Sequence, residues 1–366
     1  MITGHGGDIR KAAETAGIEP EKILDMSANT NPLGPMPGMM EHLGASMNTV
    51  TRLPDPDGHT AAEAFSVLNG LDPGRVLAAG GTTQLIYTLP RLFPSGRAMI
   101  FGPTYSDYAD ACEANGLGVL FAYPKNDGDF GHDPDRAADM AKDCDLVFIC
   151  NPNNPTGDFY APETIEWFAK TLPRTLFVID ESYLPFMPGY ASMTMAKTRL
   201  SNVVVLRSFS KIYAVPGLRV GFGVFPGPLK ERIAAFQMPW CVGSLAMEAV
   251  LFAARNRQAA LSHIEKTAAY VARERESMEK RLKKASGIEV YPAKTPFMLL
   301  KLPPGIQSRD VWEGMLARGV LVRDCANFRG LGPGYVRVSL KDARANARAA
   351  DLLTFLVENT DSGRVM

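Results

Sequence analysis

The stretch "NVVVLRSFSKIYAVPGLRVGF", residues 202 to 222, opens as an unbroken run of β-branched and aliphatic side chains, Val203 to Leu206. Such a run suits a strand buried on both faces. The chain then places Lys211 beside two hydroxyls, Ser208 and Ser210, and sets Arg219 just ahead of a second apolar run, "VGFGVF". Lysine ordinarily belongs on a wet surface. An amine at the carboxyl end of a buried strand, close to hydroxyls and a guanidinium, needs a chemical reason.

Working outward, the same texture extends from about residue 75 to 225. The runs "RVLAA", "RAMIF", "GVLFAY", "DLVFIC", "TLFVID", "NVVVLRS" and "VGFGVF" are continuous rather than alternating. Amphipathic stretches such as "TTQLIYTLPRLF" and "APETIEWFAKTL" separate them. Short apolar runs alternating with helical ones imply an α/β doubly wound layout around a mostly parallel seven-stranded sheet. After about residue 245 a long charged helical region, roughly 246 to 284, leads to strands in "GIEVYPAKTPFMLLKL", "VLVRDC" and "GYVRVSL". The expected organisation is an N-terminal arm over 1–45 packing on the domains, a large domain over 46–245 and a smaller α+β domain over 246–366. "DIRKAAETAG" reads as a short helix closed by Gly17.

The bulk numbers narrow the function. With Lys+Arg and Asp+Glu both at 39 the formal net charge is zero, which argues against a nucleic-acid or other polyanion partner. The five cysteines are widely spaced with no CxxC pair, so no metal site or disulfide framework is expected. There is no run of 18 apolar residues and no signal-peptide pattern at the start, so the expectation is a cytoplasmic protein without a membrane span.

Ligands of open α/β sheets sit beyond the carboxyl ends of the strands. Four strand ends here carry chemistry. Gly80, Gly81, Thr82 and Thr83 open a helix, "NPNNPTG" supplies Asn154, and Asp180 is followed by Tyr183. Ser208, Ser210 and Lys211 end the opening stretch, and Tyr105 in "GPTYSDY" follows a fifth strand. Each alone is a turn, a cap or a solvated charge. Together they match one cofactor, pyridoxal 5′-phosphate. Its attachment needs an amine, and its ring nitrogen needs a carboxylate to stay protonated so that the ring can act as an electron sink. Its 3′-oxygen needs donors, and its phosphate needs backbone amides, hydroxyls and a cation. An aromatic ring at Tyr105 can stack on it.

The motifs "NPNNPTG", "DESY", "SFSK" and "GLRVG", in that order, resemble the fold-type I pyridoxal-phosphate enzymes of the aminotransferase class I/II group, over nearly the whole chain. The resemblance implies that Lys211 forms the imine, that Asp180 pairs with the ring nitrogen and that Asn154 and Tyr183 hold the 3′-oxygen. Gly81, Thr82, Thr83, Ser208, Ser210 and Arg219 would hold the phosphate, and Arg337 in "YVRVSL" the substrate carboxylate. Two branches share these motifs: the histidinol-phosphate aminotransferases and the threonine-phosphate decarboxylases. The flanking segments "HGGDIRKAAETAGI", "LDMSANTNPLGP", "QMPWCVGSLA" and "VLVRDCANFRGL" resemble the second. That resemblance implies His5, Gly6, Asn29 and Arg323 as substrate-binding residues, a small phosphorylated amino acid as substrate, and a homodimer with its active site at the subunit interface. Two positions depart from the pattern. Leu53 stands where a tyrosine commonly reaches the cofactor phosphate of the neighbouring subunit. "AGGTTQ" lacks a glutamate that the decarboxylase branch often carries.

Overall fold

Every one of the seven apolar runs forms a strand. The computed structural model describes residues 6–125, 130–284 and 287–361. After a two-residue strand β1 (Leu24–Asp25) come β2 (Val76–Ala79), β3 (Arg97–Phe101), β4 (Gly118–Ala122), β5 (Leu146–Cys150), β6 (Leu176–Asp180), β7 (Val203–Ser208) and β8 (Gly221–Val224). The C-terminal part adds β9 (Glu289–Val290), β10 (Phe297–Lys301), β11 (Val320–Leu321), β12 (Arg323–Asp324) and β13 (Tyr335–Ser339). The large sheet has the order β2-β8-β7-β6-β5-β3-β4. Strands β3 to β7 pair in parallel; β8 runs antiparallel to both of its neighbours.

Alternation along each strand divides the core between the two faces of this sheet. Val147, Ile149, Phe177, Ile179, Val203 and Val205 pack into one apolar cluster. Leu146, Phe148, Leu176, Val178, Val204 and Leu206 pack into the other, with Tyr108 and Ala111 from helix Asp107–Ala114. Burying each such side chain fully stabilises the fold by about 1.5–3 kcal/mol. Cys150, Asp180 and Ser208 continue the second face at the strand ends, which is why the polar groups read from separate runs converge. One run departs from the expectation of two buried faces. "GVLFAY" forms the edge strand β4, and four of its five residues, from Gly118 to Phe121, are exposed or half-buried.

The charged region after residue 245 is two helices, Ser244–Arg255 and Arg257–Leu282, that break at Asn256. They are followed in the chain by the strands of a four-stranded antiparallel sheet, β12-β13-β10-β9. The N-terminal helix Ile9–Ala16 is capped by the Asp8 side chain and closed by Gly17 in a left-handed conformation (φ 64°). Its Ala12 and Ala13 bury against Leu316 and Leu321. Strand β1 pairs in parallel with β11, so the N-terminal segment is bound to the C-terminal part of the chain. Helix Met39–Ala45 packs instead on helix Ser244–Arg255. No helix among the described residues is long and apolar enough to cross a membrane.

Candidate active site

A cavity at the carboxyl ends of β5, β6 and β7 is lined by Gly81, Thr82, Thr83, Tyr105, Asn154, Asp180, Tyr183, Ser208, Ser210, Lys211 and Arg219. All the cofactor-binding residues expected from the sequence are therefore in one place. Tyr108, Cys150 and Ser182 line it too, and the sequence reading missed these three. Tyr108 follows Tyr105 by three residues, but Tyr105 precedes the helix Asp107–Ala114, so no helical spacing marks the pair in the sequence.

Lys211 sits on the short helix Phe209–Ile212 that turns off the end of β7. Burial, then the positive fields of Arg337 and Arg219, lowers its ammonium to about 8. An amine so placed is neutral often enough near pH 8 to act as a nucleophile. Asp180 ends β6 and is 4% exposed. Its Oδ1 accepts from the Ser182 backbone N–H (2.9 Å) and hydroxyl (2.5 Å), and its Oδ2 from the Tyr108 hydroxyl (2.9 Å). Burial raises its pKa while these hydrogen bonds pull it down.

The glycine turn makes a cradle. Gly81 has φ 89° and ψ 160° at the start of helix Thr82–Thr88. A Cβ on Gly81 would stand 2.8 Å from Arg219 Nη2, and one on Gly221 would stand 2.4 Å from the Thr82 backbone N. Arg219 is itself held with φ 55°, and its Nη1 donates to Pro216 O at 3.1 Å. The Ser210 hydroxyl donates to Val220 O at 3.1 Å, which leaves its oxygen able to accept.

A second cavity shares Tyr105, Asn154, Tyr183 and Lys211 with the first and continues to Gly6, Asn29, Arg323 and Arg337. Of the expected substrate-binding residues, all but His5 are thus brought together; His5 lies outside the described residues. Arg337 is buried. Its Nη1 donates to Asn154 Oδ1 and its Nη2 to Ser27 O (2.7 Å), and its guanidinium lies 5.1 Å over the Phe297 ring. Its Nε, also buried, has no hydrogen-bond partner. Asn29 accepts from the Ser339 hydroxyl (2.6 Å) and donates to the Tyr183 hydroxyl (3.2 Å). Arg323 donates to Asn327 Oδ1 and to Asp324 O, both at 2.6 Å, and lies 5.1 Å over Phe328. Burial, more than any charge nearby, lowers its guanidinium to about 10. The loop residues Ser27, Asn327 and Phe328 were not foreseen, because a carbonyl acceptor and a loop amide leave no pattern in sequence.

The Lys211 turn is also fixed from outside the sheet. Asn31 N donates to Lys211 O (3.0 Å), and Asn31 Nδ2 lies within hydrogen-bond distance of Ile212 O (2.7 Å), His263 Nε2 (3.0 Å) and Thr267 Oγ1 (2.8 Å). In the sequence Asn31 reads only as part of an irregular Pro/Gly/Asn segment.

With this geometry in hand, the family is decided by a model for aminotransferase class I and II that matches residues 21–353. The chain belongs to that family. It is 31% identical over 353 residues to the threonine-phosphate decarboxylase of Salmonella typhimurium, covering 94% of each protein. It is 28% identical over 357 residues to the histidinol-phosphate aminotransferase of Methanococcus maripaludis, covering 96% of this chain and 95% of the relative. Among solved structures, the L-threonine-O-3-phosphate decarboxylase of Porphyromonas gingivalis is similar with a TM-score of 0.79 at 29% identity, over 92% of this chain and 99% of that one. The histidinol-phosphate aminotransferase of Sinorhizobium meliloti, solved in complex with pyridoxal 5′-phosphate, shares the fold with a TM-score of 0.82 at 19% identity, over 97% of this chain and 95% of that one.

The family's cofactor is pyridoxal 5′-phosphate, and the donor set fits it. An amine of lowered pKa lies in the field of a buried carboxylate, and a side-chain-free glycine turn faces a guanidinium. The chain is a pyridoxal-phosphate-dependent enzyme of the class I/II group.

Proposed function

We propose that this enzyme decarboxylates L-threonine O-3-phosphate to (R)-1-amino-2-propanol O-2-phosphate, a reaction of cobalamin side-chain biosynthesis. The observation that carries the reading is the pair of guanidiniums, Arg323 and Arg337, lining one cavity with Lys211. Two cations suit a small substrate with two anionic ends, a carboxylate and a phosphate. The flanking segments, and the 31% identity to the Salmonella decarboxylase, support the same branch.

In this reading Arg337, oriented by Asn154 and Ser27 O, takes the carboxylate. Arg323, with Gly6, Asn29 and His5, takes the phosphate. The bound cofactor supplies an electron sink for the pair left at the α-carbon when carbon dioxide departs. Asp180 would keep positive charge on the ring nitrogen, Asn154 and Tyr183 would hold the 3′-oxygen, and Tyr105 would pack on the ring. Gly81, Thr82, Thr83, Ser208, Ser210 and Arg219 hold its phosphate. Lys211, with its pKa near 8, carries the proton to the α-carbon. The two arginines would fix the orientation of the substrate's α-carbon beside Lys211, and so which of its bonds is presented for cleavage.

The chain acts as a homodimer in the same reading. Met40, Met47, Val50, Leu53, Met238 and Trp240 are each at least half exposed. The 47–56 and 236–244 segments are joined by Trp240 N donating to Pro56 O (2.8 Å) and by the Ser244 hydroxyl donating to Arg52 O (3.3 Å). An apolar surface of this kind marks an interface.

A second reading is a histidinol-phosphate-type aminotransferase, favoured by the 28% identity and 96% coverage to the Methanococcus enzyme. A third is decarboxylation of serine phosphate or a phosphono amino acid, from which threonine phosphate differs in the pocket by about 1–3 kcal/mol per methyl. Assay with threonine phosphate separates the first two. Carbon dioxide released over many turnovers with no 2-oxo acid present supports the decarboxylase. Stoichiometric conversion of the cofactor to its amine form, reversed by 2-oxoglutarate and without carbon dioxide, makes the enzyme a transaminase.

A further inference from the structure

An ionised carboxylate offers four acceptor directions on its two oxygens. At Asp180, Oδ1 is filled by the backbone N–H and hydroxyl of Ser182. Oδ2 receives one hydrogen bond, from the Tyr108 hydroxyl at 2.9 Å. The two oxygens are therefore different, and Oδ2 is the one with an acceptor direction to spare beside the cofactor cavity that Asp180 lines. Tyr108 is in turn held by two aromatic rings. It is 1% exposed, stacked on Phe148 (5.0 Å between centroids, 15° between planes) and edge-on to Tyr105 (5.7 Å, 82°). Its ring has little freedom to turn, so the hydroxyl stays between Asp180 and Cys150, the other group it hydrogen-bonds.

We infer that Tyr108 is a positioning residue that aims Asp180 Oδ2 at the ring nitrogen of the cofactor and sets how fully the proton stays on that nitrogen. The other titratable groups facing this pair leave the carboxylate as the charged acceptor. Cys150, on β5, donates its thiol to Pro152 O at 3.4 Å and is pushed by burial up to about 12. Tyr183 is pushed by burial up to about 12, and burial raises Tyr105 as well. Lys211 supplies the opposing positive field. Burial also holds the Tyr108 phenol well above its ordinary value, so it remains a donor at every working pH. The donated hydrogen bond makes Asp180 a weaker base. Without it, the proton shared between ring and carboxylate moves toward Asp180, and the ring loses positive charge.

This inference rests on the proposed pairing of Asp180 with the ring nitrogen, and one titration of the holoenzyme separates the two claims. Positive charge on the ring favours proton loss from the cofactor's imine, so the pKa of the long-wavelength absorption band reports that charge. Asp180→Asn should raise this pKa. Tyr108→Phe should raise it too, by about half a unit or more, with kcat lowered about tenfold and KM within about threefold; tenfold corresponds to about 1.4 kcal/mol. A ring-fluorinated tyrosine at position 108, a stronger donor of nearly the same shape, should lower the pKa. It also serves if the phenylalanine variant does not fold. In an Asp180→Asn background, Tyr108→Phe should add no further shift. An unchanged pKa in Tyr108→Phe or in the fluorotyrosine protein, with Asp180→Asn shifted, overturns the role of Tyr108 alone. An unchanged pKa in Asp180→Asn overturns the pairing on which it rests.

Discussion

Arg323 and Arg337 are Cα partners on adjacent antiparallel strands, β12 and β13. Like charges directly opposite each other on a sheet are destabilising. Here each cation has its own aromatic face, Phe328 for Arg323 and Phe297 for Arg337, and its own carbonyl acceptor, from Asp324 and Ser27. These contacts keep a concentrated positive charge in place for a ligand with two negative ends.

Arg323→Ala should separate the two ends of the substrate. Turnover of threonine phosphate should fall by about 10²-fold, in line with losing a charge-assisted contact of about 1.5–3 kcal/mol. Any slow reaction of unphosphorylated threonine should change less than threefold. Steady-state kinetics on both substrates checks this; equal losses on the two would remove Arg323 from the phosphate site.

Attachment of the cofactor should follow the titration of Lys211. Its ammonium is depressed to about 8, so the neutral amine gains population as pH rises and is nearly complete above pH 9. The rate at which apoenzyme takes up pyridoxal phosphate should therefore climb between about pH 7 and 9 and then level off. An ordinary lysine would keep gaining to beyond pH 10. Borohydride reduction followed by peptide mapping should place the adduct on Lys211, and Lys211→Ala should give none.

Gly81→Ala should loosen the cofactor without touching its chemistry. The backbone there has φ 89°, a conformation that L side chains rarely adopt, and the new Cβ would meet Arg219 Nη2 at 2.8 Å. Strain of about 1–3 kcal/mol at such a position corresponds to a rise of about 5–150-fold in the cofactor dissociation constant. Spectral titration of the apoenzyme measures it.

Leu53→Tyr should tighten cofactor binding by about 0.5–1.5 kcal/mol, the worth of one hydrogen bond. Leu53 is 77% exposed in the single chain, so a larger side chain meets no obstacle within its own subunit. The gain should appear only in protein that is dimeric by light scattering. An unchanged affinity in a confirmed dimer would mean that this loop does not reach the partner's phosphate site.

The large sheet was readable because strands covered on both sides are continuous apolar runs, and the runs of β2 to β8 are of that kind. The edge position of β4 was not readable. "GVLFAY" is as apolar as its neighbours, and edge status depends on strand order, which is a long-range property. Strands β11 and β12 both fall within "VLVRDC", which reads as one strand; β1 contains only two residues, too few for any period to show. In the site, residues at strand ends were legible as a set because each carries its own chemistry. Tyr108 and Ser182 were not, since their importance lies in which Asp180 oxygen they face. Asn31 escaped for a similar reason: its partners Ile212, His263 and Thr267 lie far along the chain.

The hydrogen bonds from Arg337 to Ser27 O and from Ser339 to Asn29 each join residues 310 positions apart. On the ribosome, the lysine, the carboxylate and the glycine turn have all emerged long before Arg337 is made. The earlier part of the chain therefore waits with a half-built pocket, lacking the wall that closes around the substrate. Completion of the pocket coincides with the arrival of β13 beside the N-terminal segment. Loss of the segment around Ser27 and Asn29, or of β13, would accordingly disable the same place, although the two lie 310 positions apart along the chain.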